Sequence, residues 1–113
     1  MRTLVLAAIA VFAAGAAHAG NPDAGKEKSR TCVACHGPDG NSAAADFPKL
    51  AGQHYDYLVK SLKDYKSGAR KNAIMAPLAA SLNQRDIEDL AAFYSGQQGL
   101  VIRKNPYLVP AGH

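Results

Sequence analysis

An all-α fold, with three main helices joined by long loops, is the class this sequence predicts. Two stretches repeat apolar residues at three- and four-residue spacing, as one face of a helix does. Gly, Pro and Asn gather between the helical stretches, and nowhere do apolar and polar residues alternate as in a half-buried strand.

The first residues stand apart from that fold. Met1-Arg2-Thr3 is a short positive start, Leu4 to Ala14 is apolar throughout, and Ala17-His18-Ala19 has the small-x-small form of a cleavage site. This is the layout of a secretory signal peptide over residues 1–19. The competing reading, a membrane anchor, meets a run shorter than the ~20 apolar residues a span requires. Cleavage after Ala19 would leave residues 20–113 in an exported, non-membrane-spanning protein, with the bacterial periplasm as the simplest compartment. With Arg2 gone, twelve basic residues face nine acidic ones, a net of +3. So weak and scattered a charge excludes the dense basic stripe of a nucleic-acid binder and suits brief encounters with acidic partners.

The first helix is expected over about 22–34. Asn21 caps it and Pro22 suits its first turn. Its apolar face is thin (Ala24, Val33, Ala34), with Lys26, Glu27, Lys28 and Arg30 to solvent, so it would be marginal alone. The second runs over about 53–67, with Tyr55, Leu58, Leu62 and Tyr65 on one face and Gly68 as its C-cap. The third runs over about 84–95. Asn83 and Asp86 have capping-box spacing, Ile87, Leu90, Ala91 and Tyr94 form the buried stripe, and Gly96 ends it. Residues 37–52 and 69–82 read as loops. A domain over 20–99 would then be followed by an extended tail over 100–113. Three short helices make a thin core, which a large apolar cofactor would complete.

Cys32-Val33-Ala34-Cys35-His36 supplies the chemistry. A disulfide between cysteines so close would restrain little chain entropy. A thioredoxin-like dithiol belongs at a strand-to-helix junction. A zinc site needs four ligands, and only His54 and His113 remain as donors outside the motif and the leader. C-x-x-C-H is the attachment motif of haem c: two thiols for two vinyl groups, and a histidine beneath the iron. For the opposite axial position Met75 is the one methionine after the leader, in a loop followed by Ala76-Pro77. A thioether is soft and neutral and favours Fe(II). The competing readings are a gap-filling core methionine and ligation by His54 instead.

Together with Gly37-Pro38-Asp39-Gly40-Asn41, Phe47-Pro48-Lys49-Leu50-Ala51-Gly52-Gln53 and Met75-Ala76-Pro77-Leu78, this motif resembles the class I c-type cytochromes over about two thirds of the chain. Within that class it is similar to one half of the bacterial di-haem periplasmic cytochromes and to their single-haem relatives. The resemblance implies a small cytochrome c fold around one covalent haem c. It implies that the Pro48 carbonyl accepts a hydrogen bond from His36 Nδ1–H, fixing the ring and raising ligand basicity. It implies that Gly25 lets the last helix cross closely, with Tyr94 or Phe93 packing there. Where the family often has an aromatic in the first helix, this chain reads Lys28-Ser29-Arg30, which leaves room for a looser crossing. The implied role is that of an electron carrier and not an enzyme. A membrane quinol-oxidising complex or dehydrogenase would be the donor and a terminal oxidase or reductase the acceptor. Were Met75 off the iron, the chain would instead bind gases or act as a weak peroxidase. Lys60, Lys63 and Lys66, with Arg70 and Lys71 beyond them, form a solvated helix face or part of a docking surface, and Lys49 is a further docking candidate.

Overall fold

The computed structural model describes residues 19–101 together with Ala10. Nearly all of the expected leader, and the expected tail beyond Val101, lie outside the described residues. Within them the chain forms α1 (Pro22–Lys28), a 3-10 turn (Ser29–Thr31), α2 (Val33–His36), α3 (Tyr55–Ser67), α4 (Met75–Ala80) and α5 (Gln84–Ser95), with no strand. No described helix is long and apolar enough to cross a membrane.

The expected first helix is divided. Asn21 Oδ1 accepts from Asp23 N and Ala24 N and Pro22 opens α1, but the chain tightens at Ser29 before α2 begins. α1 itself lies hard against α5. Gly25 is so close to it that an added Cβ would lie 2.8 Å from Phe93 Cβ, and Ser29 is buried on the same side. Phe93, and not Tyr94, is thus the aromatic beside Gly25.

The crossing is not loose. Lys28, expected on the solvent side, is half-buried between two carboxylates, with Nζ 2.7 Å from Asp89 Oδ2 and 2.9 Å from Asp86 Oδ1. Asp89 is buried, and its Oδ1 accepts from Asn21 N at 2.8 Å. An ion cluster, in place of a first-helix aromatic, joins α1 to α5. Ala34, expected on the apolar face, is exposed, because α2 turns it away from the core.

The core gathers Leu58, Leu90, Ala91, Phe93 and Tyr94, with Val59, Leu62 and Leu82 packed against it. α5 begins in the expected capping box: Asp86 N donates to Asn83 Oδ1, and Asn83 N donates to Asp86 Oδ2. α3 ends at Gly68, whose φ of 83° is the left-handed conformation a glycine adopts without cost.

Residues 69–82 are not all loop. Met75–Ala80 is a short helix, α4, packed on α3. Its Pro77 sits in the first turn, where a missing N–H costs nothing. The 37–53 loop is fastened to the end of α5: Gly52 N donates to Tyr94 O, Asn41 Nδ2 to Gln98 O, and Leu100 N to Ala51 O.

Candidate functional site

α2, the 37–53 loop, α3, α4 and α5 enclose a cavity of about 390 Å³. Its lining brings together Cys32, Cys35, His36, Pro48 and Met75. His54 is exposed at the start of α3 and does not line it.

His36 ends α2, where Gly37 at φ 80° turns the chain away. The imidazole is buried, and Nδ1 lies 2.8 Å from Pro48 O. A carbonyl only accepts, so Nδ1 carries the proton and Nε2 keeps its lone pair for a metal. The Pro48 carbonyl thereby sets the tautomer and the ring orientation. Cys32 and Cys35 are half-buried, three residues apart and not joined in a disulfide.

Met75 opens α4, and its backbone is held by a residue that the sequence motifs do not single out. Asn72 Oδ1 accepts from both Ile74 N and Met75 N at 2.9 Å, and Asn72 O accepts from Ala76 N at 3.0 Å. Asn72 to Ile74 has the two-residue spacing of an Asx-turn, so part of the signal was present in the sequence.

Tyr94 also lines the cavity, its buried hydroxyl beside Cys32 and Ser29. Burial pushes its phenol far above the usual tyrosine range, so the hydroxyl stays protonated. Asp39, in the loop after the motif, is held below the usual carboxylate range by hydrogen bonds from the Asn41 side chain and backbone.

The residues fit a haem. The volume lies within the ~300–1,000 Å³ of small-molecule sites. Three large apolar side chains, Tyr57, Ile74 and Leu78, are 50%, 56% and 41% exposed, yet all line the cavity. A flat apolar group would cover them. Among the described residues no three His, Cys, Asp or Glu side chains converge as a bare metal site. The donor set is two thiols, an imidazole nitrogen and a thioether, which suits haem c attachment and axial ligation.

The model of the cytochrome c family matches residues 22–96. The chain belongs to the cytochrome c family. This cytochrome is 46% identical over 99 residues to cytochrome c4 of Pseudomonas aeruginosa, an alignment covering 87% of this chain and 49% of that one. It is 48% identical over 83 residues to cytochrome c-554(548) of Halomonas halodenitrificans, covering 71% of this chain and all of that one. Its fold is similar to the crystal structure of reduced recombinant cytochrome c4 from Pseudomonas stutzeri, with a TM-score of 0.70, 44% identity and coverage of 79% of this chain and 52% of that one. The chain spans about half the length of the cytochrome c4 relatives it matches. The cofactor of this cytochrome is one haem c, bound through Cys32 and Cys35.

Proposed function

We propose that this cytochrome is an exported, single-haem electron carrier with His36 and Met75 as its two axial ligands. The observation that carries the reading is the shared cavity: His36, whose Nδ1 is already engaged by Pro48, and Met75, whose backbone is clamped by Asn72, line one apolar space. Bound there, the haem supplies a one-electron Fe(III)/Fe(II) couple. The protein does the rest. Cys32 and Cys35 would hold the cofactor through two thioethers, each S–H adding across one vinyl group, the sulfur to one carbon and the hydrogen to the other. His36 Nε2 and Met75 Sδ would be the two protein ligands to its iron, which would leave no position for a substrate. Leu58, Leu90 and Ala91 keep water from the interior, and with the thioether they favour the reduced state.

Electron transfer would therefore be outer-sphere. The leader over residues 1–19 supports export to the periplasm, and the domain over 20–99 would act there. A membrane quinol-oxidising complex or dehydrogenase fits as donor, and a terminal oxidase or reductase as acceptor. Lys60, Lys63 and Lys66 are all exposed on α3 and would steer acidic partners, although Lys60 pairs with Asp64 and Lys66 reaches Leu82 O.

The test is the visible spectrum of the matured protein with and without carbon monoxide. Expected are sharp reduced c-type bands, a weak long-wavelength sulfur-to-iron band when oxidised, and no response to carbon monoxide. A carbon monoxide shift without the sulfur-to-iron band would replace the carrier with a gas-binding or peroxidatic site.

A further inference from the structure

The packed fold begins at the first residue after the expected cleavage site, with no spacer between them. Ala19 is exposed, while Gly20 is half-buried against α5. A Cβ added at Gly20 would lie 2.0 Å from Glu88 O and 2.9 Å from Ala92 Cβ, so the position admits only a glycine. Five residues on, Gly25 makes the same kind of approach to Asp89 and Phe93, and between the two glycines Asn21 N donates to Asp89 Oδ1. The chain is thus laid against α5 from Gly20 onward.

α3 and α5 surround the Gly20 nitrogen with acceptors and negative charge. The Gly20 N–H donates to the Tyr55 hydroxyl at the start of α3. The Tyr55 phenol is pushed above its ordinary range by burial and then by the Glu88 carboxylate, with Asp56 and Asp89 acting in the same direction. Glu88 is half-buried, and its Oε1 accepts from Gln84 Nε2 at 2.5 Å. The cations of α1 and α5 here serve Asp89: Lys28 is held by Asp86 and Asp89, and the exposed Arg85 acts on Asp89. Among the described residues, no salt bridge involves Glu88 or Asp56. A neutral amide N–H gains little from such surroundings, whereas a cation at the same place gains more.

Removal of the leader would put a cation there. Hydrolysis of the 19–20 peptide bond by a leader-removing endopeptidase consumes one water; Ala19 keeps the carboxylate, and the proton of the new carboxyl passes to the Gly20 amine. We propose that Tyr55 and Glu88 form a receptor for the chain's own mature N-terminus, in which the Gly20 α-ammonium donates to the Tyr55 hydroxyl and is held by the Glu88 carboxylate. Processing then adds a charged tie between the start of the fold, α3 and α5. The inference rests on the leader reading and is independent of the ligands to the iron. An ammonium held by a carboxylate keeps its proton to higher pH than the ~7.7–8.0 of an unperturbed α-amine. Its contribution to stability is complete below that value and is lost as pH rises through the higher folded one.

The experiment uses the matured holoprotein. Intact mass fixes its first residue, and competitive acylation from neutral to alkaline pH, read on the N-terminal peptide, gives the proton affinity of the α-amine. Wild type is compared with E88Q, with E27Q, and with a chain carrying one extra alanine between Ala19 and Gly20, which moves the ammonium outward and returns Gly20 N to an amide. Glu27 is an exposed carboxylate of α1 engaged by Arg30 and serves as the control. Expected is a chain starting at Gly20 whose α-amine holds its proton several-fold more tightly than an ordinary terminus. E27Q should retain that gain, and E88Q and the extended chain should lose most of it. Should E88Q not mature, the extended chain reads the same contact. An ordinary α-amine in wild type, or equal losses in E27Q and E88Q, overturns the receptor and leaves the leader reading standing. Cleavage at another bond overturns the receptor alone. A chain retaining residues 1–19 overturns the leader reading, and the receptor with it.

Discussion

Gly25→Ala isolates the contact on which the rest of the domain is hung. An added Cβ would sit 2.6 Å from the Asp89 carbonyl carbon and 2.8 Å from Phe93 Cβ, and closer still to Asp89 O. Carbon atoms pack at ~3.5–4.0 Å, so α1 and α5 must part by roughly 1 Å. Neither obstacle yields readily: one is helix backbone, the other the first carbon of a buried ring. Overpacking alone costs ~1–3 kcal/mol. Separation would also strain the hydrogen bonds from Asn21 N and Lys28 Nζ to Asp89, so the expected total is ~3 kcal/mol, at the upper end of that range. For a domain of this size such a loss lowers the melting temperature by roughly 12–24 °C. Thermal and denaturant unfolding of the holoprotein would measure it. Gly68→Ala is the matched control, since nothing lies within 4 Å of its added Cβ and only the left-handed φ of 83° is penalised, at ~1–2 kcal/mol. A Gly25→Ala midpoint within ~0.5 kcal/mol of wild type would refute the close-crossing argument.

Met75→Ala should lower the reduction potential and admit carbon monoxide to the reduced iron; an unchanged potential would remove Met75 from the axial position. Asn72→Ala removes an acceptor serving two backbone donors, each bond being worth ~0.5–1.5 kcal/mol, so the sulfur-to-iron band should fade at a lower temperature than in wild type. Asn72→Asp keeps the acceptor oxygen and should restore the band's thermal resistance, whereas equal loss in both variants would count against the loop clamp. Asp89 is held below the usual carboxylate range by the Asn21 backbone N–H and then by Lys28, and Asp86 by the Asn83 backbone N–H and then Lys28. Their contribution to stability is present above the unfolded-state value of ~3.9 and is lost as pH falls through the lower folded values. Lys28, raised by Asp89 and then Asp86, makes the opposite contribution, lost only as pH rises beyond its ordinary 10.5. Asp89→Asn should cost ~1.5–3 kcal/mol at neutral pH and flatten the acid limb of a stability–pH curve; a parallel, undiminished acid limb would contradict this assignment.

The motif and the two amphipathic helices were legible because their signals are local. Cys32, Cys35 and His36 lie within five residues, Asn83 and Asp86 cap each other within one turn, and the stripes of α3 and α5 repeat within one element. The features that sequence alone does not reveal depend on distant partners. The close approach of Gly25 to Asp89 and Phe93 joins positions more than sixty residues apart. Asp89 resembles a solvent-facing acid in sequence and is buried only because Lys28 and the Asn21 N–H meet it. α4 is a six-residue helix with a proline inside it, too short for periodicity to register. In sequence Arg70 is one more cation beside Lys66 and Lys71, and only the fold of the turn at Gly68 sets it against Tyr65 and the cavity.

The ion cluster at Lys28 also bears on how the domain is closed. Asn21 N, just ahead of α1, and Lys28 Nζ, at its last residue, both donate to Asp89 in the middle of α5. A single buried carboxylate thus clasps α1 at both of its ends, so the helix can swing away from α5 only by giving up both hydrogen bonds to that charge at once.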